Sequence, residues 1–244
     1  MIKVKNQGEG AEIYIYGDIV DDSDGLWREE YDLKTGYEWP NDLKQKLDEC
    51  KGKDLTIYIN SDGGSVPAGV AMANMIARHD GNTTAIVDGW CCSIATQIFF
   101  AAKNRKMPGN AYLMVHKPSC GVFGNSDDMK RAAETLDCIQ EGLEAAYRGA
   151  AKEGTTAEEI TEMVNKETWL TGTEASEKFN IELMPASTAA AKAGKNGPTM
   201  KNIPESIRIE AVVNKVDRTD AADDKTKQEN EVAIVLAMAE GELV

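Results

Sequence analysis

Positive charge is scarce in this chain: 27 lysines and arginines face 41 aspartates and glutamates, a formal net charge of −14 over 244 residues. A phosphate backbone is gripped through a basic face, so nucleic acid is not an expected partner. Histidine is scarcer, with His79 and His116 alone. The five cysteines (Cys50, Cys91, Cys92, Cys120, Cys138) contain no Cys-x-x-Cys pair. Neither a zinc centre nor a disulfide framework is expected from so few scattered ligands; reduced, mostly buried thiols are. No apolar run is long enough to span a membrane, and Met1-Ile2-Lys3-Val4-Lys5 lacks the apolar heart of a secretion signal, which points to the cytoplasm. Also missing are a Gly-Lys-Ser/Thr phosphate loop, any ATPase motif, an internal repeat and the lipase-type Gly-x-Ser-x-Gly around Ser93. No cofactor or metal is expected.

The length suits one good-sized α/β domain with an appendage. Ala11–Gly17 alternates toward a strand and stops at glycine, Asp21 to Gly36 reads as a polar loop, and a helix is expected from about Asn41. Leu55–Asn60 is a buried strand by its β-branched and aromatic content. The turn Asp62-Gly63-Gly64-Ser65 then opens a helix from Val66 to about Ala77. Thr83–Asp88 is a second such strand, expected to end at Gly89 before a helix from Ser93 to about Ala102; Ala111–His116 is a third. Strand, turn and helix at this rhythm predict parallel βαβ units. Beyond Asn125, with Ser126 read as the N-cap, Met129, Ala133, Leu136, Ile139 or Gln140, Leu143 and Tyr147 recur at three and four, giving a long amphipathic helix to about Lys152. Short helices follow, capped at Thr156 and spanning Thr173–Phe179. After Met184-Pro185 the composition becomes that of a linker, so the domains are residues 1–184, a linker 185–202 and a C-terminal extension 203–244, partly flexible and tipped by the apolar Val232–Met238.

Three features converge on one chemistry. Ser93 sits between a strand and a helix, where a hydroxyl is exposed and backbone amides lie near it; taken alone it is an ordinary helix-capping serine. Gly63-Gly64 lack Cβ atoms and can turn bare amides toward a cleft; taken alone they are a tight turn. His116, stopped by Lys117-Pro118, is a proton acceptor of the right pKa, whereas His79 lies in a polar helix end. A nucleophile, a base and amide donors are what serine hydrolysis requires.

Gly63-Gly64-Ser65-Val66-x-Ala68-Gly69, Ser93-x-Ala95, His116-x-Pro118 and Thr168–Ala175 resemble the ClpP family of serine peptidases over roughly Ala11 to Met184, and within it the phage and prophage branch of head-maturation proteases. The resemblance implies an α/β fold, a ClpP/crotonase-like spiral of βαβ units with a long projecting helix. It implies Ser93 as nucleophile, His116 as base, and the amides of Gly64 and Ile94 as oxyanion hole. Glu167 falls where the housekeeping proteins carry aspartate as the triad's acid; Asp88 and Asp127 stand as alternatives. It further implies a ring-shaped homo-oligomer, a protein or peptide substrate such as a capsid or scaffold protein, and an ATPase unfoldase supplied in trans if one is used. A crotonase-like acyl-CoA enzyme, a catalytically vestigial assembly protein and a Ser-Lys peptidase using Lys103 or Lys117 are the competing readings.

Overall fold

The computed structural model describes residues 3–7, 10–33 and 35–186. The expected linker and C-terminal extension, apart from its first residues, lie outside the described residues. In chain order the strands are β1 Lys3–Gln7, β2 Gly10–Tyr16, β3 Asp18–Ile19, β4 Tyr37–Glu38, β5 Asp54–Ser61, β6 Thr83–Cys92, β7 Asn104–Pro108, β8 Tyr112–Val115, β9 Thr168–Thr171 and β10 Glu182–Met184. The helices are α1 Asp22–Glu30, α2 Pro40–Glu49, α3 Val66–Ala77, α4 Ala95–Ala101, α5 Ser126–Ala150, α6 Ala157–Asn165 and α7 Gly172–Lys178.

The main sheet runs β1-β2-β5-β6-β7-β10, and β6 carries a second branch through β8 to β9. Pairing is parallel from β2 through β10; β1–β2 and β8–β9 are antiparallel. Register brings Ile13, Ile57 and Ala85 into one row and Ile15, Ile59 and Val87 into the next. All six are buried, as the period-two side-chain alternation of a strand requires. Helices α3 and α4 cover this face. Gly69 makes their close approach possible, because a Cβ there would stand 2.3 Å from Ile94 Cγ1.

Three local expectations are corrected. Asp21–Gly36 is not all loop: it holds α1, with Gly25 pressed against the Trp39 ring, and is flanked by the short parallel pair β3–β4. Strand β6 does not stop at Gly89. Its first half pairs with β7 (Thr84↔Asn104) and its second with β8 (Cys92↔Met114), so a change of neighbour carries it to Cys92. The long helix is capped by Asn125 instead of Ser126: Asn125 Oδ1 accepts from the amides of Asp127 and Asp128, and Asp128 Oδ2 accepts from the Asn125 amide. That reciprocal pair satisfies donors a helix start leaves open.

Helix α5 projects. Its residues 126–138 include no buried side chain, with Met129 at 45% exposure, whereas Leu143, Glu144, Tyr147 and Ala150 are buried at its C-terminal end. Buried Glu144 is offset by Gln140, Arg148 and Thr161, which donate to its carboxylate at 2.7, 3.1 and 2.6 Å. All five cysteines are free; Cys50, Cys91 and Cys92 are buried and Cys120 and Cys138 exposed.

Candidate active site

The end of β6 and the end of β8 lie side by side, and this pairing assembles the site. Ser93 follows Cys92 at the end of β6, and its amide donates to the Met114 carbonyl of β8 at 2.9 Å. His116 is two residues beyond Met114, so strand alternation turns both side chains to one side of the sheet. The Ser93 hydroxyl and His116 Nε2 are 2.7 Å apart.

Ser93 is also strained. Its φ is +54°, in the left-handed region that non-glycine residues seldom occupy, and such strain persists only where surrounding contacts impose it. It is not the helix cap, a place taken by Ile94. Two further contacts hold the turn. The Thr96 amide and hydroxyl both donate to the Ser93 carbonyl, at 3.0 and 2.5 Å, and the Thr96 hydroxyl is bonded to the Tyr147 hydroxyl at 2.7 Å. Thr96 and Tyr147 thus tie α5 to the serine turn, a link sequence reading misses because Tyr147 shows there only as one member of an apolar stripe. Tyr147→Phe should lower the melting temperature by about 2–4 °C, since a net hydrogen bond is worth about 1 kcal/mol; differential scanning calorimetry reads the change.

The glycine turn closes the other side. Gly63 has φ +100°, and a Cβ on it would stand 2.8 Å from both the Cys92 carbonyl oxygen and Ser93 Cβ. The Ile19 amide donates to the Gly63 carbonyl and the Ser65 amide to the Ile19 carbonyl, fixing the turn against β3. Among the described residues, nothing accepts a hydrogen bond from the amide of Gly64 or of Ile94. Both expected oxyanion donors are therefore unspent.

Burial holds the His116 imidazole below its ordinary pKa of 6.5, because charging it in a half-enclosed site costs solvation; the Glu167 carboxylate opposes that shift. Glu167 is thus near enough to act on His116 by charge. It makes no hydrogen bond to the ring, and its Oε1 is buried without a partner. Its backbone, at φ +53°, is left-handed as well. The alternatives lie elsewhere: the Asp88 carboxylate accepts from the Tyr16 hydroxyl, and Asp127 sits 3.5 Å from Lys130 in the first turn of α5. His79 Nε2 bonds the Lys53 carbonyl at 2.8 Å, and Lys103 donates to the Gly81 carbonyl at 2.7 Å. Neither meets Ser93. Among the described residues no group of three or more His, Cys, Asp or Glu is arranged to hold a metal.

A layered α/β domain in which a strained serine meets a histidine beside two unspent main-chain amides has the constellation of a serine hydrolase. More narrowly, the chain belongs to the Clp protease family, whose model matches residues 15–179. It is 32% identical over 149 residues to the ATP-dependent Clp protease proteolytic subunit 3 of Streptomyces avermitilis, covering 59% of this chain and 66% of that protein. With the ATP-dependent Clp protease proteolytic subunit of Bacteroides fragilis it shares 28% identity over 133 residues, covering 54% and 63%. The chain thus spans slightly less than two thirds of the length of these relatives. Among solved structures, the ClpP1 N165D mutant from Listeria monocytogenes superposes with a TM-score of 0.56 at 23% identity, over 71% of this chain and 91% of that one. That likeness supports the fold.

Proposed function

We propose that this chain is a serine endopeptidase subunit in which Ser93 attacks the peptide carbonyl. The contact between the Ser93 hydroxyl and His116 Nε2, held by a left-handed serine backbone, carries the reading. In this mechanism His116 takes the hydroxyl proton as the C–O bond forms. The Gly64 and Ile94 amides stabilise the tetrahedral oxyanion, and the imidazolium gives its proton to the leaving amine. Water, deprotonated by the same imidazole, then releases the acyl group and restores Ser93.

Glu167 is the proposed third member, acting on the imidazole by its charge. The orphaned Oε1 is the observation that favours the rival, a vestigial site. The two readings separate by pH. Only neutral His116 can accept the proton, and burial lowers its pKa, so the acid limb of kcat/KM should fall below pH 6.5. Glu167→Gln removes the opposing charge, so the limb should move to still lower pH while kcat falls by about 100-fold or more. A purely structural Glu167 would leave the limb in place.

The projecting, largely exposed α5 supports assembly into rings of like subunits, in keeping with the family. Its relatives are named ATP-dependent proteolytic subunits, and the chain lacks a nucleotide loop of its own, so any unfolding would be supplied by an ATPase in trans in the cytoplasm. The finer assignment, a phage or prophage head-maturation protease acting on capsid or scaffold protein with or without such a partner, rests on the sequence motifs. Native mass spectrometry after fluorophosphonate treatment tests the proposal. One adduct per subunit at Ser93, in a multi-subunit ring, is expected; no adduct at Ser93 would overturn it and leave the assembly-protein or acyl-CoA reading.

A further inference from the structure

We infer that Asp62 is a specificity determinant of this site, selecting peptides with a cationic side chain, lysine or arginine, beside the scissile bond. The inference rests on the peptidase reading above and names the substrate class.

Its basis is position. Ser61, the residue before it, pairs with Cys91 across β5–β6 and shares that residue's burial in the main core. Asp62 is the first residue beyond the end of β5, half-buried and near enough to Cys92 for its charge to help hold that thiol protonated. Cys92 belongs to a second apolar cluster with Met114 and Trp169, bordered by Trp90 and Tyr112. The residue after Asp62 is Gly63, whose missing Cβ would touch Ser93 Cβ. Asp62 therefore stands close to Cys92, the residue before the nucleophile, and one residue from the glycine that packs on the nucleophile itself.

Its chemistry is unspent. Among the described residues nothing donates a hydrogen bond or ion pair to its carboxylate. The neighbouring carboxylate, Asp18, adds to burial in raising the Asp62 pKa, whereas Asp18 itself has the Arg28 guanidinium nearby. Arg28 is committed elsewhere, with Nε 3.2 Å from Asp24 Oδ2 and its guanidinium 3.7 Å above the Tyr37 ring. A half-buried carboxylate without a cation, beside a reacting serine, is best satisfied by a cation that arrives with the substrate.

The test uses pairs of fluorogenic peptides, identical except for arginine or its neutral isostere citrulline flanking the cleaved bond on either side. The wild-type chain should prefer the arginine member by about tenfold in kcat/KM, the size expected of one partly desolvated charge pair. Asp62→Asn should bring the ratio to about one, and Asp62→Lys should favour a glutamate peptide over its glutamine counterpart. The ratio is taken within one preparation, so it does not depend on the active fraction; Asp62→Ser, a smaller replacement, provides the same reading if the asparagine variant folds poorly. Asp137→Asn, an exposed change on α5, removes one unit of overall charge and should leave the ratio as it is. A wild-type ratio near one, or one that Asp62→Asn leaves intact, overturns the inference while Ser93 labelling still upholds the peptidase. Loss of both labelling and turnover in the wild type overturns the peptidase reading, and this inference with it.

Discussion

Ser93→Ala should reduce peptide turnover by about 10⁴-fold or more while the chain still folds and assembles, the loss expected when a nucleophile acting together with its base is removed. The size follows from the geometry. His116 Nε2 has the Ser93 hydroxyl 2.7 Å away, and removing that oxygen leaves the base nothing to deprotonate but water. The amides of Gly64 and Ile94 would survive the change and sustain a slow residual rate. Folding should be spared, since alanine keeps the Cβ and the main-chain bond to Met114, and relief of a left-handed serine is not part of the substitution. Peptidase assay and circular dichroism on one preparation read both outcomes. Turnover within tenfold of wild type would show that the hydroxyl is a bystander.

The second large effect is expected at Gly64. Its φ is +142°, and an added Cβ would lie 2.0 Å from the Ile19 carbonyl oxygen, far inside any tolerated contact. That oxygen also accepts from the Ser65 amide, so it cannot withdraw without breaking the bond that holds the turn. Gly64→Ala should therefore cost about 3–5 kcal/mol, roughly a 10 °C fall in melting temperature, and the surviving folded protein should have its oxyanion donor displaced. A melt within 2 °C of wild type, on the scale of about 1 kcal/mol, would mean that the turn is softer than described.

What the sequence disclosed and what it hid divide along physical lines. Strand β5 and helix α3 were readable to within a residue because local signals coincide there: a β-branched run, a glycine turn, then small apolar residues. Helix α1 was hidden because it is polar and buries only Gly25; a tertiary contact with Trp39 holds it, not an apolar stripe. The continuation of β6 past Gly89 was hidden because it depends on β8, some twenty residues downstream, taking over from β7. Strand β7, Asn104–Pro108, carries charged residues and no alternation strong enough to announce it. At the site, the residue types of Ser93, His116 and the two glycines were legible, but the positive φ of Ser93 and the tie from Thr96 to Tyr147 were not. Asp62 gives no local signal whatever, since it lies just beyond β5 and its neighbours, Cys92 and Asp18, come from distant parts of the chain.

The bond from the Ser93 amide to the Met114 carbonyl has a consequence for how the molecule matures. Nucleophile and base, 23 residues apart along the polypeptide, reach each other only when their two ribbons anneal in one alignment, and an offset of a single residue would send the imidazole to the wrong side. Reaction with a phosphonylating reagent therefore counts correctly annealed molecules, and its time course after dilution from denaturant should trail the recovery of helical signal.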